Sequence, residues 1–516
     1  MILHKSQLFT CSDVAGFDQC ASSFPKASED EGLDHLRFSG GPQRQRRIIM
    51  KLHLLCGARI ARLSCIGFLL LGFCQMIQAG PTSTSPDYSV AVFANAPGGL
   101  TSPDSITSFQ GTIWVGYQNK TLPTGGGGDS DIVQFSPSGK VLKTFKVKGR
   151  NDGLKFNPFD GKIYALQNED ANPSLTLIDP VTGTMTNYTY STPPAHGGGY
   201  DDIVFLNGQI FISASNPILQ PPTKGAPNGQ NIFPSIIKAT LVGNQVNTTA
   251  VLLGNATLTN ITTGASEIAQ QSDPDSFKVD PSGNLVLDSQ QDGDLIFLNG
   301  PGFPNQVGYR LHLSSSSTTQ VTVDDTVFPT QASGTIYVAD TTADIVYAVT
   351  SKVFPPNSAF TAATDSNNYV GRIDLQTGKI TPIITGMQGP HGALFLSSLP
   401  EVRLEQAASS GGSSGGLSGV FRVSRTGDVS QALQVFLNIT DSSKADPSSS
   451  NTQQTVTIPV GASSTTASVT LDSKSDFKDD GSKQSVVVSI QPDPSYNVQS
   501  NILNTAVQAV SLPLPK

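Results

Sequence analysis

The sequence predicts an all-β protein: a six-bladed β-propeller, with five blades as the alternative, followed by a C-terminal β-sandwich. Three observations point there. The 516 residues include 49 Gly and 34 Pro but only 14% charged residues, which favours short strands joined by many turns over long charged helices. One strand–turn–strand pattern recurs between residues 103 and 396 at intervals of roughly 50 residues, the length of a four-stranded unit with moderate loops. After Pro400 the pattern gives way to longer alternating strands behind the Gly/Ser-rich stretch "EQAASSGGSSGGLSG".

The first 79 residues stand apart. "MKLHLLCGARIARLSCIGFLLLGFCQMIQAG" begins at Met50 with Lys51, Arg59 and Arg62, continues as an apolar run over 66–73 and ends in Ile77-Gln78-Ala79. That is the basic, apolar, small-residue order of a secretory signal peptide, and the run is short for a membrane span. Residues 50–79 are therefore expected to be removed and 1–49 to be an extension ahead of a true start at Met50. An uncleaved anchor is the alternative. Bulky Phe73 before Cys74 argues against a lipoprotein.

All five cysteines (Cys11, Cys20, Cys56, Cys65, Cys74) precede the expected cleavage point. The mature chain then has no disulfide, cysteine-ligated zinc or thiol nucleophile. The formal charge of −8 deepens to −11 without those residues, leaving 23 basic against 34 acidic side chains. No concentrated basic face exists to bind nucleic acid. The expected product is acidic, without a membrane span after cleavage, and secreted, periplasmic or attached to the cell surface.

The repeat is legible by eye. "PDSITSFQGTIWVGYQ" starts at Pro103, "NDGLKFNPFDGKIYALQ" at Asn151 and "DDIVFLNGQIFISAS" at Asp201. "PDSFKVDPSGNLVLDS" starts at Pro274, "DDTVFPTQASGTIYVAD" at Asp324 and "PHGALFLS" at Pro390. Third strands such as "SDIVQF" and "ADIVYAV" follow, then fourth strands such as "KVLKTFKV" and "KITPIITG", after Pro-early, Gly-late turns. Four antiparallel strands per unit is the plan of a propeller blade. Two intervals are long. Residues 216–234 with 254–272, and residues 353–371, read as insertions. The last copy lacks second and third strands of its own, while "YSVAVFA" (88–94) precedes the first unit without a partner. That strand is expected to serve as the outer strand of the last blade and close the ring.

The strand opening each unit should line the central channel. Its aligned second positions are Asp104, Asp152, Asp202, Asp275, Asp325 and His391, expected to form a circle around one mouth. Gathered carboxylates raise one another's pKa unless a cation or donor hydrogens neutralise them. Ca²⁺ or another divalent cation takes six to eight such oxygens. The competing reading is structural, an aspartate accepting backbone N–H bonds in each turn. Asp201 and Asp324, next to two members of the circle, would deepen its field. His196, in the loop "PPAHGGGYDD", is expected to be solvated or to approach the mouth. "TGGGGDSD" lacks the Lys and Ser/Thr of a phosphate cradle, and no G-x-S-x-G or H-E-x-x-H occurs.

Residues 88–397 resemble NHL-type and gluconolactonase (regucalcin-like) propellers, on "PDSFKVDPSGNLVLD", "NDGLKFNPFDGKIYAL" and "SGTIYVADTTADIVYAV". That resemblance implies a central divalent metal with Asn151, Asp275 and Asp325 as inherited ligands; the family's early glutamate has no match, Asp104 occupying the first unit. Residues 401–512 are similar to Calx-beta domains, on "FRVSRTGDVSQALQVFLNI" and "TVTIPVGASSTTASVTL". The likeness implies calcium ligands at Glu405, Asp472, Asp476 and Asp480, although Ser482 and Lys483 stand where a further acid would help, so a structural or adhesive role is favoured. The expected organisation is a propeller over 80–400 and a sandwich over 401–516. The expected function is an exported binding or scaffold protein that engages an extracellular protein or glycan. The alternative is a metal-dependent lactonase-type hydrolase.

Overall fold

The computed structural model describes residues 80–498, apart from 317–320, 356–357, 366, 412–416, 442–450 and 472–485. The expected extension, the signal segment and all five cysteines lie outside the described residues. Those described form strands and turns with no helix, so none of them makes a helix able to cross a membrane.

Six four-stranded blades stand in a ring. From the axis outwards, blade 1 contains Pro103–Phe109, Thr112–Tyr117, Asp129–Phe135 and Val141–Lys148. Blade 2 contains Asn151–Asn157, Lys162–Gln167, Ser174–Ile178 and Met185–Tyr190. Blade 3 contains Ile203–Leu206, Gln209–Ser213, Pro234–Val242 and Gln245–Leu253. Blade 4 contains Pro274–Val279, Leu285–Ser289, Asp294–Asn299 and Val307–His312. Each inner strand touches the next, and the sixth touches the first, so the ring is closed at six blades.

Blades 5 and 6 correct the sequence reading. The inner strand of blade 5, Val323–Val327, pairs with Ala359–Ala363, and Tyr369–Ile373 and Ile380–Thr385 follow outwards. The hairpin Gly334–Asp340 and Ile345–Ser351, expected in that blade, instead pairs with Pro390–Ser397 in blade 6. Residues 353–371 thus contain the second strand of blade 5 and the start of its third, rather than being an insertion. The reason is closure. Blade 6 takes its outer strand, Tyr88–Asn95, from the start of the propeller and its inner strand from the end, as expected. Without the borrowed hairpin those two strands would stand apart with unpaired edges.

The local chemistry of blade 5 repeats that of blade 2. In "DPVTGT" and "DLQTGK" the aspartate accepts from the N–H groups two and three residues on, Val181 and Thr182 for Asp179, Gln376 and Thr377 for Asp374. Gly183 and Gly378 then take φ of 79° and 71°, a conformation glycine adopts without a Cβ penalty. Both turns join a third strand to a fourth.

Each blade is apolar on both faces, because it is covered by a neighbour on each side. In "TIWVGY", Ile113 and Val115 pack towards blade 6 with Ala339 and Val346, while Trp114 packs towards blade 2 with Leu154 and Ile163. Side chains alternate sides along a strand, which is why these runs read as continuously apolar. Fully burying each such side chain stabilises the fold by roughly 1.5–3 kcal/mol. The outer edges of blades 2, 3, 4 and 5 are covered too. The outer strands of blades 2 and 3 pair in parallel, Thr189 with Gln245. The hairpin Thr257–Asn260 and Ser266–Ile268 extends blade 4, and Thr82–Ser83 extends blade 5.

The C-terminal region is a sandwich of two sheets, with a shared core that includes Val402, Phe421, Val435 and Val469. It meets the propeller at the ends of the inner strands remote from their aspartates. Gln110 Nε2 donates to Ser463 Oγ at 2.9 Å, Asn497 Nδ2 donates to Ser397 Oγ at 3.2 Å, and the Arg403 guanidinium lies 4.7 Å from the Phe159 ring centroid. The aspartate-bearing mouth therefore opens on the opposite face.

Candidate functional site

The inner strands enter the ring through a β-bulge. In blades 1, 2, 4, 5 and 6 three residue steps on the inner strand oppose two on its partner, between Pro103 and Ile106, Asn151 and Leu154, Pro274 and Phe277, Val323 and Thr326, and Pro390 and Ala393. In blade 3 the ladder begins at Ile203, which leaves Asp201 and Asp202 in the same place. A bulge breaks the period of two and re-aims a side chain, a device common beside functional sites. Its first position holds Asp104, Asp152, Asp201, Asp275, Asp324 and His391. Its second holds Ser105, Gly153, Asp202, Ser276, Asp325 and Gly392. All six expected residues line the mouth, but two of them hold the second bulge position: in blades 3 and 5 the first position belongs to Asp201 and Asp324 rather than to Asp202 and Asp325.

The second position is where blades touch. A Cβ on Gly153 would lie 2.3 Å from the Asp201 carbonyl oxygen, and one on Gly392 would lie 2.0 Å from that of Asp104. Where this position is aspartate, it stitches three blades. Asp202 Oδ2 accepts from Lys155 Nζ of blade 2 at 2.8 Å and from the Phe277 N–H of blade 4 at 3.0 Å. Asp325 Oδ1 accepts from Lys278 Nζ of blade 4 at 2.7 Å, and Oδ2 from the Ala393 N–H of blade 6 at 2.6 Å. Burial acts to raise the Asp325 pKa, but the Lys278 and Lys155 ammoniums outweigh it and hold the group below the usual carboxylate range. Burial also pulls Lys155 down, against the opposing pull of Asp202.

The first position is electrostatically different. Burial pushes Asp152, Asp201 and Asp275 well above the usual carboxylate range, and neighbouring carboxylates push the same way. The Asp275 carboxyl adds to the upward push on Asp201, and Asp324 adds to that on Asp275. Burial raises Asp104 to about 7, although His391 opposes it. His391 Nδ1 lies 2.7 Å from Asp324 Oδ2 and 3.5 Å from Asp104 Oδ1. Burial disfavours its charge, yet these carboxylates overcome that and raise it to about 9. Arg150 sets Nε 2.8 Å from Asp152 Oδ1, off the hydrogen-bond line, and Nη2 3.1 Å from Glu169 Oε1.

These groups enclose a cavity of about 370 Å³ at the channel mouth. Its walls continue into loops of blade 2 (Glu169, Asp170), blade 3 (Ser215, Asn216) and blade 4 (Gln290, Gln291). Ten carboxyl groups line it against Arg150 and His391, with Lys155 and Lys278 paired behind two of them. The mouth is strongly acidic even after those pairings.

The three ligands implied by resemblance do not form one coordination set. The Asn151 amide is fully buried and turned into the blade, its Nδ2 donating to the carbonyls of Gly153 at 3.0 Å and Leu166 at 2.8 Å. Asp275 and Asp325 both line the cavity, but both Asp325 oxygens are already taken by Lys278 and the Ala393 N–H. Among the described residues no group of three or more His, Cys, Asp or Glu side chains gathers as a metal site. In the sandwich, Glu405 pairs with Arg403 at 2.5 Å, while Asp472, Asp476 and Asp480 lie outside the described residues. His196 is neither solvated nor on the cavity wall: it is buried, with Nε2 2.8 Å from the Gly199 carbonyl, and burial lowers its pKa.

Sequence reasoning missed Arg150, Glu169, Lys155 and Lys278. The lysines carried a signal, D-x-x-K in two repeat copies, which places an ammonium one layer below the mouth.

No family model and no curated protein sequence matches the chain. Solved structures do resemble it in fold. The periplasmic gluconolactonase PpgL of Pseudomonas aeruginosa is 12% identical, with TM-score 0.32, over 60% of this chain and 99% of that one. A putative 6-phosphogluconolactonase from Bacteroides uniformis is 10% identical, with TM-score 0.32, over 74% and 100%. A functionally unknown protein from Desulfotomaculum acetoxidans is 10% identical, with TM-score 0.33, over 58% and 90%. Likeness at this level carries no argument about substrate or mechanism.

Proposed function

We propose that this chain is an exported binding protein whose propeller captures a positively charged ligand at the acidic channel mouth, with the Calx-beta-like sandwich as a spacer or adhesion module behind it. One observation carries the reading. Carboxyl groups outnumber internal cations at the cavity, so buried negative charge is held there as protons or as mutual repulsion. A bound cation relieves both. The partner is a free cation, a metal ion included, or a cationic group presented by an extracellular protein or glycan. The test is a melting series on the full chain at low ionic strength, with divalent cations and organic cations added singly. A rise in Tm that saturates with ligand, and that Asp201→Asn or Asp275→Asn abolishes, supports the reading. A flat series removes it.

Asp104 and His391 support a second reading, a lactonase-type hydrolase. An acid at about 7 beside a histidine at about 9 is placed to exchange a proton near neutral pH. Hydrolysis of a lactone, lost in Asp104→Asn, is the readout.

A further inference from the structure

Among the described residues, two outer edges of the propeller lack the cover that the other four have. Blades 2 and 3 pair with each other, a hairpin extends blade 4, and Thr82–Ser83 extends blade 5. The outer strands of blades 6 and 1, Tyr88–Asn95 and Val141–Lys148, end their sheets. An uncovered edge presents a row of unpaired N–H and C=O groups, on which another strand can build.

The two edges differ. Tyr88–Asn95 carries no charge, and its ladder is interrupted between Val92 and Ala94. A bulge of this kind twists an edge away from further pairing. In blade 1 the irregularity falls at the start of the outer strand, where the ladder skips Leu142. From Lys143 to Lys148 the strand then pairs with Asp129–Gln134 without a break. That is an ordinary strand length, left regular and open.

The side chains of this stretch are also unusual for the molecule. Phe145 and Val147 are buried in the core shared with blade 2, while Lys143, Thr144, Lys146 and Lys148 are exposed. Lys146 and Lys148 reach Asp131 and Asp129 at 4.0 and 3.3 Å, yet their side chains keep 68% and 91% of their exposure. Lys143 stands opposite Gln134, and the strand itself holds no acid. In a chain of formal charge −8 it is a positive strip.

That charge decides what fits. A second copy of the same edge would set lysine against lysine, and like charges facing each other across strands are destabilising. An extended peptide matches the free backbone row, and acidic side chains on it complement the lysines.

We infer that the outer edge of blade 1, Lys143–Lys148, is a docking site for an extended acidic segment of a partner protein, which adds to the blade as a fifth strand. Backbone hydrogen bonds along the edge supply affinity, and Lys143, Lys146 and Lys148 select the sign of the charge. The site is on the outermost strand of its blade, so it stands independently of the acidic mouth and of the cation-binding reading.

The test is fluorescence anisotropy on the full chain at low ionic strength, with a short labelled peptide of alternating Glu and Val as the probe. Two further peptides accompany it. One has Gln for Glu, and the other is the Glu peptide N-methylated at alternate residues, which keeps the charge and removes backbone donors. Saturable binding of the Glu peptide that is weaker with Gln and lost on N-methylation supports the inference. Lys143→Gln should weaken that binding about two- to fivefold, the scale of one exposed ion pair, and adding Lys146→Gln should weaken it again by a similar factor. Both side chains are exposed, so the variants keep the parent fold. Equal binding of the N-methylated peptide overturns the inference, because charge then acts without a strand, and equal binding of the Gln peptide overturns the selection by charge. A flat titration overturns it as well, leaving the lysines as guards that keep the edge single. Dimerisation in sedimentation that Lys143→Gln strengthens also overturns it, since the occupant is then a second copy.

Discussion

The two positions of the inner-strand bulge are adjacent in the chain, yet their carboxylates live under opposite electrostatic conditions. Asp202 and Asp325 are met by lysines and backbone N–H groups and fasten the blades together. Asp201 and Asp275, one layer higher, are met chiefly by other carboxyl groups, and burial drives them towards their neutral forms. The same residue type thus does structural work in one layer and stores unsatisfied charge in the other. An acidic ring is informative only once each member's partners are known.

The contrast breaks most visibly at Lys278. Lys278→Met leaves Asp325 buried without its ammonium, and removing one partner of a buried pair costs about 3–5 kcal/mol. Denaturant melts of the full chain should show that loss. If the variant is as stable as the parent, the lower layer is not a latch. Gly153→Ala comes next. The new Cβ meets the Asp201 carbonyl, and overpacking of this kind costs about 1–3 kcal/mol by the same measurement.

Acidity separates the layers by sign. Asp325 has a depressed pKa, so its contribution is present above the unfolded value near ~4 and is lost as pH falls through the lower folded value. Asp104 and Asp273, raised to about 7 and about 6, bind protons in the folded state that the unfolded chain has released. They therefore erode stability as pH rises from ~4 towards neutrality. His391 is a raised base. Its contribution is complete below ~6.5 and disappears as pH climbs through about 9. Melting temperatures across pH 5–10 should carry that alkaline decline in the parent and lose it in His391→Gln. The smallest effect belongs to Asp275→Asn. Removing an acid already driven towards neutrality should shift stability by less than ~1 kcal/mol, whereas Asp325→Asn should be clearly destabilising.

Much of this was legible in the chain. The strand–turn–strand copies, the six-fold count and the recruitment of 88–94 into the last blade follow from apolar alternation and unpaired edges. The one-residue displacement at Asp201 and Asp324 was not, because a bulge inserts a residue without changing composition, and an Asp-Asp doublet offers two equivalent alignments. The exchange between blades 5 and 6 was hidden because strands adjacent in sequence usually pair. The turn "DLQTGK", with its close likeness to "DPVTGT", was the overlooked clue that 359–385 supplies the second, third and fourth strands of blade 5. Arg150 and Glu169 lie just outside the repeated positions, so periodicity had no hold on them. Their partnership is visible only in three dimensions.

The sixth blade has a temporal consequence. It is assembled from Tyr88–Asn95, the hairpin from Gly334 to Ser351, and Pro390–Ser397, stretches that leave a ribosome far apart in time. Contacts this distant in sequence slow folding, because a long loop must be ordered before they reward it. In synthesis the first strand has no partner before residue 351, and the ring has no inner strand with which to close before residue 397.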